Sequence, residues 1–170
     1  MKKIIKGAVV GGIVMLLLGV LIQLLPWGFS DVKPFPDKQL LSEAILSQTE
    51  GGMYYTDEGT YTFVAVSSSA WNSIPRKLLF DLFTQFILAG IISFVLSLTA
   101  ALKNRTRVSL ITCMSLAASV GVYIPDWNWW GFSLQYTLGA SLNLVFVWTF
   151  AAVVLTRFVL KNDKVEENIA

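Results

Sequence analysis

The chain contains no histidine and a single cysteine, Cys113. The first absence removes a Ser-His-Asp triad, a histidine-ligated metal and ordinary imidazole acid–base work. The second removes any internal disulfide and any Cys-x-x-C redox pair. Four-helix thiol oxidoreductases are excluded with them, and the lone cysteine counts against claudin-like proteins, whose outer loop normally carries a disulfide. Neither a Walker-type phosphate loop nor a dinucleotide-binding glycine pattern occurs, so no cofactor is expected. Charge is scarce too. Only 14% of the 170 residues are Asp, Glu, Lys or Arg, against 55% apolar.

What charge there is comes in clumps. Residues 7–25, 82–102, 108–124 and 132–156 carry none. A spanning helix needs about 17–25 predominantly apolar residues to cross a hydrocarbon core of about 30 Å. Four transmembrane helices are therefore expected. Lys2, Lys3 and Lys6 precede the first span, Lys103, Arg105 and Arg107 separate the second and third, and Arg157, Lys161 and Lys164 follow the fourth. Most acids fall between the first two spans, and the positive-inside rule then puts both termini in the cytoplasm. Each basic clump lies beside a span, so topology accounts for it and nucleic acid is not an expected partner. The first segment is read as a retained anchor. Its apolar stretch exceeds the 7–15 residues of a signal peptide, and no Ala-x-Ala pattern follows.

The expected fold class is membrane all-α, a four-transmembrane-helix bundle with a small α+β extracytoplasmic cap. The order is a cytoplasmic N-terminus (1–6), a first span (7–25), the cap (26–77), a second span (78–102) and a cytoplasmic turn (103–107). A third span (108–124), an extracytoplasmic Trp-rich turn (125–132), a fourth span (133–157) and a cytoplasmic tail (158–170) complete it. In the cap, Asp37 is placed to cap a short amphipathic helix reaching about Gln48, and Gly51-Gly52 stops it. Two β-like runs, Met53–Thr56 and Thr60–Val66, read as a hairpin around Asp57-Glu58-Gly59. So small a piece buries little core alone, and the cap is expected to pack on the Trp-rich turn.

Each span carries a face suited to another helix. Gly7-x-x-x-Gly11 marks the first. Gln85, Ala89, Ser93, Ser97 and Ala101 recur every four residues in the second. Ala117 with Gly121 and Ser115 with Ser119 mark the third, and Gly139 with Asn143 the fourth. In lipid, such small and weakly polar stripes let backbones approach closely. Cys113 is read as a small buried apolar residue. Gln23, Gln85 and Asn143 fall in the outer half of the bundle and are expected to form an intramembrane polar cluster.

The most informative stretch is Pro125-Asp126-Trp127-Asn128-Trp129-Trp130-Gly131-Phe132-Ser133, with three tryptophans in four residues. It reads as a turn at the membrane–water boundary, where an amphipathic ring meets both environments. Together with the Lys-rich start, the Gly-rich first helix and Leu25-Pro26-Trp27, it resembles a group of small, uncharacterised bacterial inner-membrane proteins. That resemblance implies a polytopic bacterial membrane protein and brings no activity with it.

An intramembrane aspartyl protease needs two facing acids. The only candidates, Asp81 and Asp126, sit near the outer boundary, where solvation or pairing with Arg76 or Lys77 explains them. A non-enzymatic role is therefore expected: a scaffold, accessory subunit or interaction module at the outer membrane–water interface. Its surface would comprise Trp127, Asn128, Trp129, Trp130 and Asp126, with Trp27 and Trp71 on the same side. Its partners would be membrane lipid and either another protein or a second copy of the chain. The alternative is a small transport or lipid-handling component that uses the polar cluster inside the bundle.

Overall fold

The computed structural model describes residues 1–23, 36–46, 52–56, 62–66 and 73–161. Among the described residues four helices are long and apolar enough to cross a membrane, which makes this a multi-pass membrane protein. They are α1 (Lys2–Gln23), α3 (Ile74–Leu98), α4 (Asn104–Trp130) and α5 (Leu134–Val154), the last running on into a π-helical turn at Leu155–Val159. Between α1 and α3 lie the short α2 (Lys38–Leu46) and an antiparallel hairpin of β1 (Gly52–Thr56) and β2 (Thr62–Val66). Tyr54 pairs with Val64 at the centre of the hairpin. The expected short helix is present, and Asp37 Oδ1 accepts from the Leu40 amide at 3.0 Å, the N-cap bond its position implied.

The helices associate as two pairs, α1 on α3 and α4 on α5, which meet chiefly through α1 against α5. The first pair is set by side-chain size. A Cβ added at Gly7 would collide with Ser93 Oγ, and one at Gly12 would collide with the Phe86 ring. At Gly11 it would lie 3.0 Å from Ala89 Cβ and 3.1 Å from Leu155 Cδ1. Ala89 and Ser93 are both fully buried, so the small stripe expected on α3 is the contact that lets α1 close in. It ends earlier than its period suggests. Ala101 is exposed and lies past the helix, whose last turn is closed by Thr99 Oγ1 donating to Val95 O and Leu96 O. At the other end Pro75, in the first turn where its missing N–H costs nothing, starts the helix ahead of Arg76 and Lys77. The helix thus covers Ile74–Leu98, where the sequence placed a span at 78–102.

On α4 the buried positions are Arg107, Ile111, Ser115 and Ser119, every fourth residue. Ser115 and Ser119 form the inward face, whereas Ala117 and Gly121 are exposed. Cys113 is exposed as well, against the expectation of burial. Two residues after Ile111, it points away from the inward stripe. The second pair gains a hydrogen bond inside the span, between the hydroxyls of Thr112 and Thr149 at 3.0 Å. Large apolar side chains such as Leu17, Ile91, Phe94, Leu116, Leu142 and Phe146 point outward. A bundle with small residues between helices and large ones outside is the arrangement a lipid surround favours.

The connection between α4 and α5 is shorter than the sequence suggested. The helix continues through Pro125 to Trp130, and only Gly131–Ser133 is non-helical. Pro125 cannot bond back to Gly121 O, a loss that helices in lipid tolerate when neighbours compensate. Gly131 ends α4 with φ at +68°, the left-handed conformation that a residue without Cβ adopts freely. Ser133 then caps α5, its Oγ accepting from the Tyr136 amide at 3.1 Å. Within Trp-Trp-Gly-Phe-Ser, the glycine and the serine are the stop and start signals of adjacent helices.

Candidate functional site

The cap-bearing half of the bundle contains a cavity of about 260 Å³ to which all four long helices contribute. Asp81 and Gln85 enter from α3, Tyr123 from α4, Asn143 and Trp148 from α5, and Gly19 from α1. Gln85 Nε2 donates to Asp81 Oδ1 at 3.2 Å, one helical turn away. That bond fixes the amide orientation, and Asp81 itself is exposed at the cavity's edge. Asn143 Oδ1 is buried with no hydrogen-bond partner among the described residues. A buried acceptor left unsatisfied costs about 1–3 kcal/mol. Gly19 has nothing within 4 Å of the place a Cβ would take, so here α1 widens the space it closes at Gly7, Gly11 and Gly12.

Two members of the expected polar cluster, Gln85 and Asn143, line this one cavity. Gln23 ends α1, and its side chain lies outside the described residues. Asp81 and Tyr123 join the cluster although the sequence reading left them out. Asp81 had a legible signal, since it stands one turn before Gln85 on the same face. Tyr123 had none, because its approach depends on how α4 packs. Trp148, the one tryptophan away from the cap side in sequence, also borders the cavity.

The aromatic positions divide by exposure. Trp129 is 70% exposed, and Trp127 and Asn128 are also exposed, while Asp126 is half-buried. Trp130 lies against the hairpin, its ring centroid 5.0 Å from that of Phe63. The expected contact between cap and Trp-rich segment is thus made, though from the last turn of a helix. Phe132 and Tyr136 form an edge-to-face pair at 5.4 Å across the start of α5. Trp27 and Trp71 lie outside the described residues. A helix of 27 residues is roughly 40 Å long, more than the roughly 30 Å of a hydrocarbon core.

At the opposite end of α4, Arg107 is fully buried. Its Nη1 donates to Leu160 O at 3.1 Å and to Asn104 Oδ1 at 3.0 Å, and its Nη2 donates to Leu96 O at 2.9 Å. One guanidinium thereby bonds carbonyls at the C-terminal ends of α3 and α5, where the helix dipoles concentrate partial negative charge. The π-helical turn, closed by Leu160 N bonding Leu155 O at 2.7 Å, leads to that carbonyl. The expectation of a cytoplasmic turn at 103–107 treated Arg107 as one more flanking cation. Extending the Ser115–Ser119 period back through Ile111 would have brought it onto the buried face.

Among the described residues, no group of three His, Cys, Asp or Glu side chains is arranged to hold a metal ion. Comparison with known proteins finds no matching family model, curated protein or solved structure.

Proposed function

We propose that this is a non-enzymatic membrane protein acting as a small transport or lipid-handling component, with the four-helix cavity as its binding site. The observation that carries the reading is Asn143 Oδ1, buried and without a partner among the described residues, on the cavity that the Gln85–Asp81 pair also lines. Asp81 is exposed, whereas a polar group buried inside a membrane bundle, as Asn143 is, is expensive and commonly marks a pathway or site. Here the carboxylate, amide and phenol converge from three helices. At about 260 Å³ the cavity suits a small polar solute or part of a headgroup. An acceptor-rich lining favours a ligand that donates hydrogen bonds, such as an ammonium or polyhydroxyl group.

The orientation belongs to the same reading. We infer a bacterial inner membrane with the cap outside and both ends cytoplasmic. Lys2, Lys3, Arg107 and Lys161 border one cavity at the end opposite the cap, which supports that placement through the positive-inside rule.

The second reading is an interaction module at the outer interface, scaffold or accessory subunit. It is favoured by Trp129, whose ring is largely exposed beside the cap. Paired variants separate the two. The binding reading predicts that Gln85→Leu and Asn143→Leu abolish solute or lipid retention while co-purifying proteins stay unchanged. Loss of a protein partner in Trp129→Ala, with retention intact in the cavity variants, moves the assignment to the second reading.

A further inference from the structure

The end of the bundle opposite the cap holds a second cavity, of about 490 Å³. Its wall includes Lys2 and Lys3 from the start of α1, Ser97 from the end of α3, Arg107 from α4, and Leu160 and Lys161 beyond α5. No acidic side chain is among its described lining residues. Arg107 is the decisive member. It is fully buried, its three hydrogen-bond acceptors are neutral oxygens, and its Nε has no partner among the described residues. Removing a cation from water is costly unless charge of opposite sign compensates it. The carbonyls at two helix ends supply partial charge only.

We propose that this cavity binds a phosphate group whose negative charge no tethered ammonium offsets, with Arg107 at its base and Lys2 and Lys3 at its rim. Guanidinium groups match phosphate oxygens in geometry, and lysines add point charge. Arg107 sits within the first turn of α4, beside the ends of α3 and α5. Basic pockets between the ends of transmembrane helices are suited to anionic headgroups. The volume falls in the range of about 300–1,000 Å³ typical of ligand sites. The proposal is independent of the cavity at the capped end and stands or falls without it.

The test uses the full chain in nanodiscs of phosphatidylcholine, with or without phosphatidylglycerol, read by retained lipid in native mass spectrometry and by thermal unfolding. The wild type should retain phosphatidylglycerol over phosphatidylcholine. The double variant Lys2→Gln, Lys3→Gln should lose roughly thirtyfold in that preference, at about 1 kcal/mol per cation, while unfolding unchanged in phosphatidylcholine alone. Arg107→Lys keeps the charge and removes the fork, and should lower retention further. A parallel titration with inorganic phosphate in phosphatidylcholine discs identifies the source of the group. Saturable stabilisation that the double variant loses assigns the site to free phosphate, whereas retention of the anionic lipid without it assigns the site to the headgroup. Equal retention of both lipids together with no response to phosphate overturns the proposal. So does an anion response that both sets of variants leave intact.

Discussion

Phe63 of β2 meets Trp130 of α4 with ring centroids 5.0 Å apart and planes inclined at 43°. Through this contact a hairpin too small to stabilise itself leans on the end of a membrane-crossing helix. Aromatic pairs are worth about 0.5–1.5 kcal/mol beyond the area they bury. Trp130→Ala should therefore raise amide hydrogen exchange across 62–66 several-fold. Trp129→Ala, which removes a largely exposed ring, should leave that protection unchanged. Equal effects from the two variants would contradict the contact.

The glycines of α1 should differ sharply in tolerance. Gly12→Ala meets the Phe86 ring and its Cα at 3.1 Å, and Gly7→Ala meets Ser93. Both should destabilise the α1–α3 pair by about 1–3 kcal/mol, the usual cost of overpacking. Gly121→Ala meets nothing within 4 Å and should be neutral, or stabilising by up to about 1 kcal/mol through helix propensity. Thermal unfolding in a fixed detergent compares the three.

Arg107 should be more than a topological marker. Hydrogen bonds from a charged donor contribute about 1.5–3 kcal/mol. Arg107→Leu leaves Leu96 O and Leu160 O without the donor that joins two helix ends. Its unfolding midpoint should fall well below that of Arg105→Leu, whose side chain is exposed. Indistinguishable midpoints would show that the guanidinium does not hold the ends together.

Cys113 gives a direct reading of the lipid-facing surface. It is exposed on α4 and lies nine residues past Asn104, roughly 14 Å along the helix. In a bilayer a thiol at that depth lies within the hydrocarbon core, out of easy reach of a water-soluble reagent. A water-soluble maleimide should label intact membranes slowly and denatured protein completely. Rapid labelling in intact membranes would place that face against water.

Much of this architecture is written in residue spacing, because spacing has few physical uses inside lipid. Gly7-x-x-x-Gly11 and Ala89-x-x-x-Ser93 announce close packing, and these four residues do face one another. Gln85 and Asn143 were legible as a cluster because amides in apolar helices need a reason to be there. Pro125 misled for an equally physical reason. Proline commonly stops a helix in water, yet α4 carries it for another turn and a half. Arg107 escaped notice because the positive-inside rule already explained any cation at that position. The four-residue period of Ser119, Ser115 and Ile111 points to it, but its hydrogen bonds depend on where α3 and the π-helical turn end, which no local pattern encodes. Tyr123 joins the cavity through tertiary packing alone.

The central claim is that the cavity bounded by Asp81, Gln85, Tyr123 and Asn143 holds a ligand. Native mass spectrometry of the protein extracted with its surrounding membrane, as wild type and as Asn143→Leu, tests it most directly. The account predicts a bound small molecule or lipid of defined mass on the wild type, lost from a variant that still unfolds cooperatively. The same adducts on both proteins, or a reproducible protein partner and no small ligand on either, would contradict it.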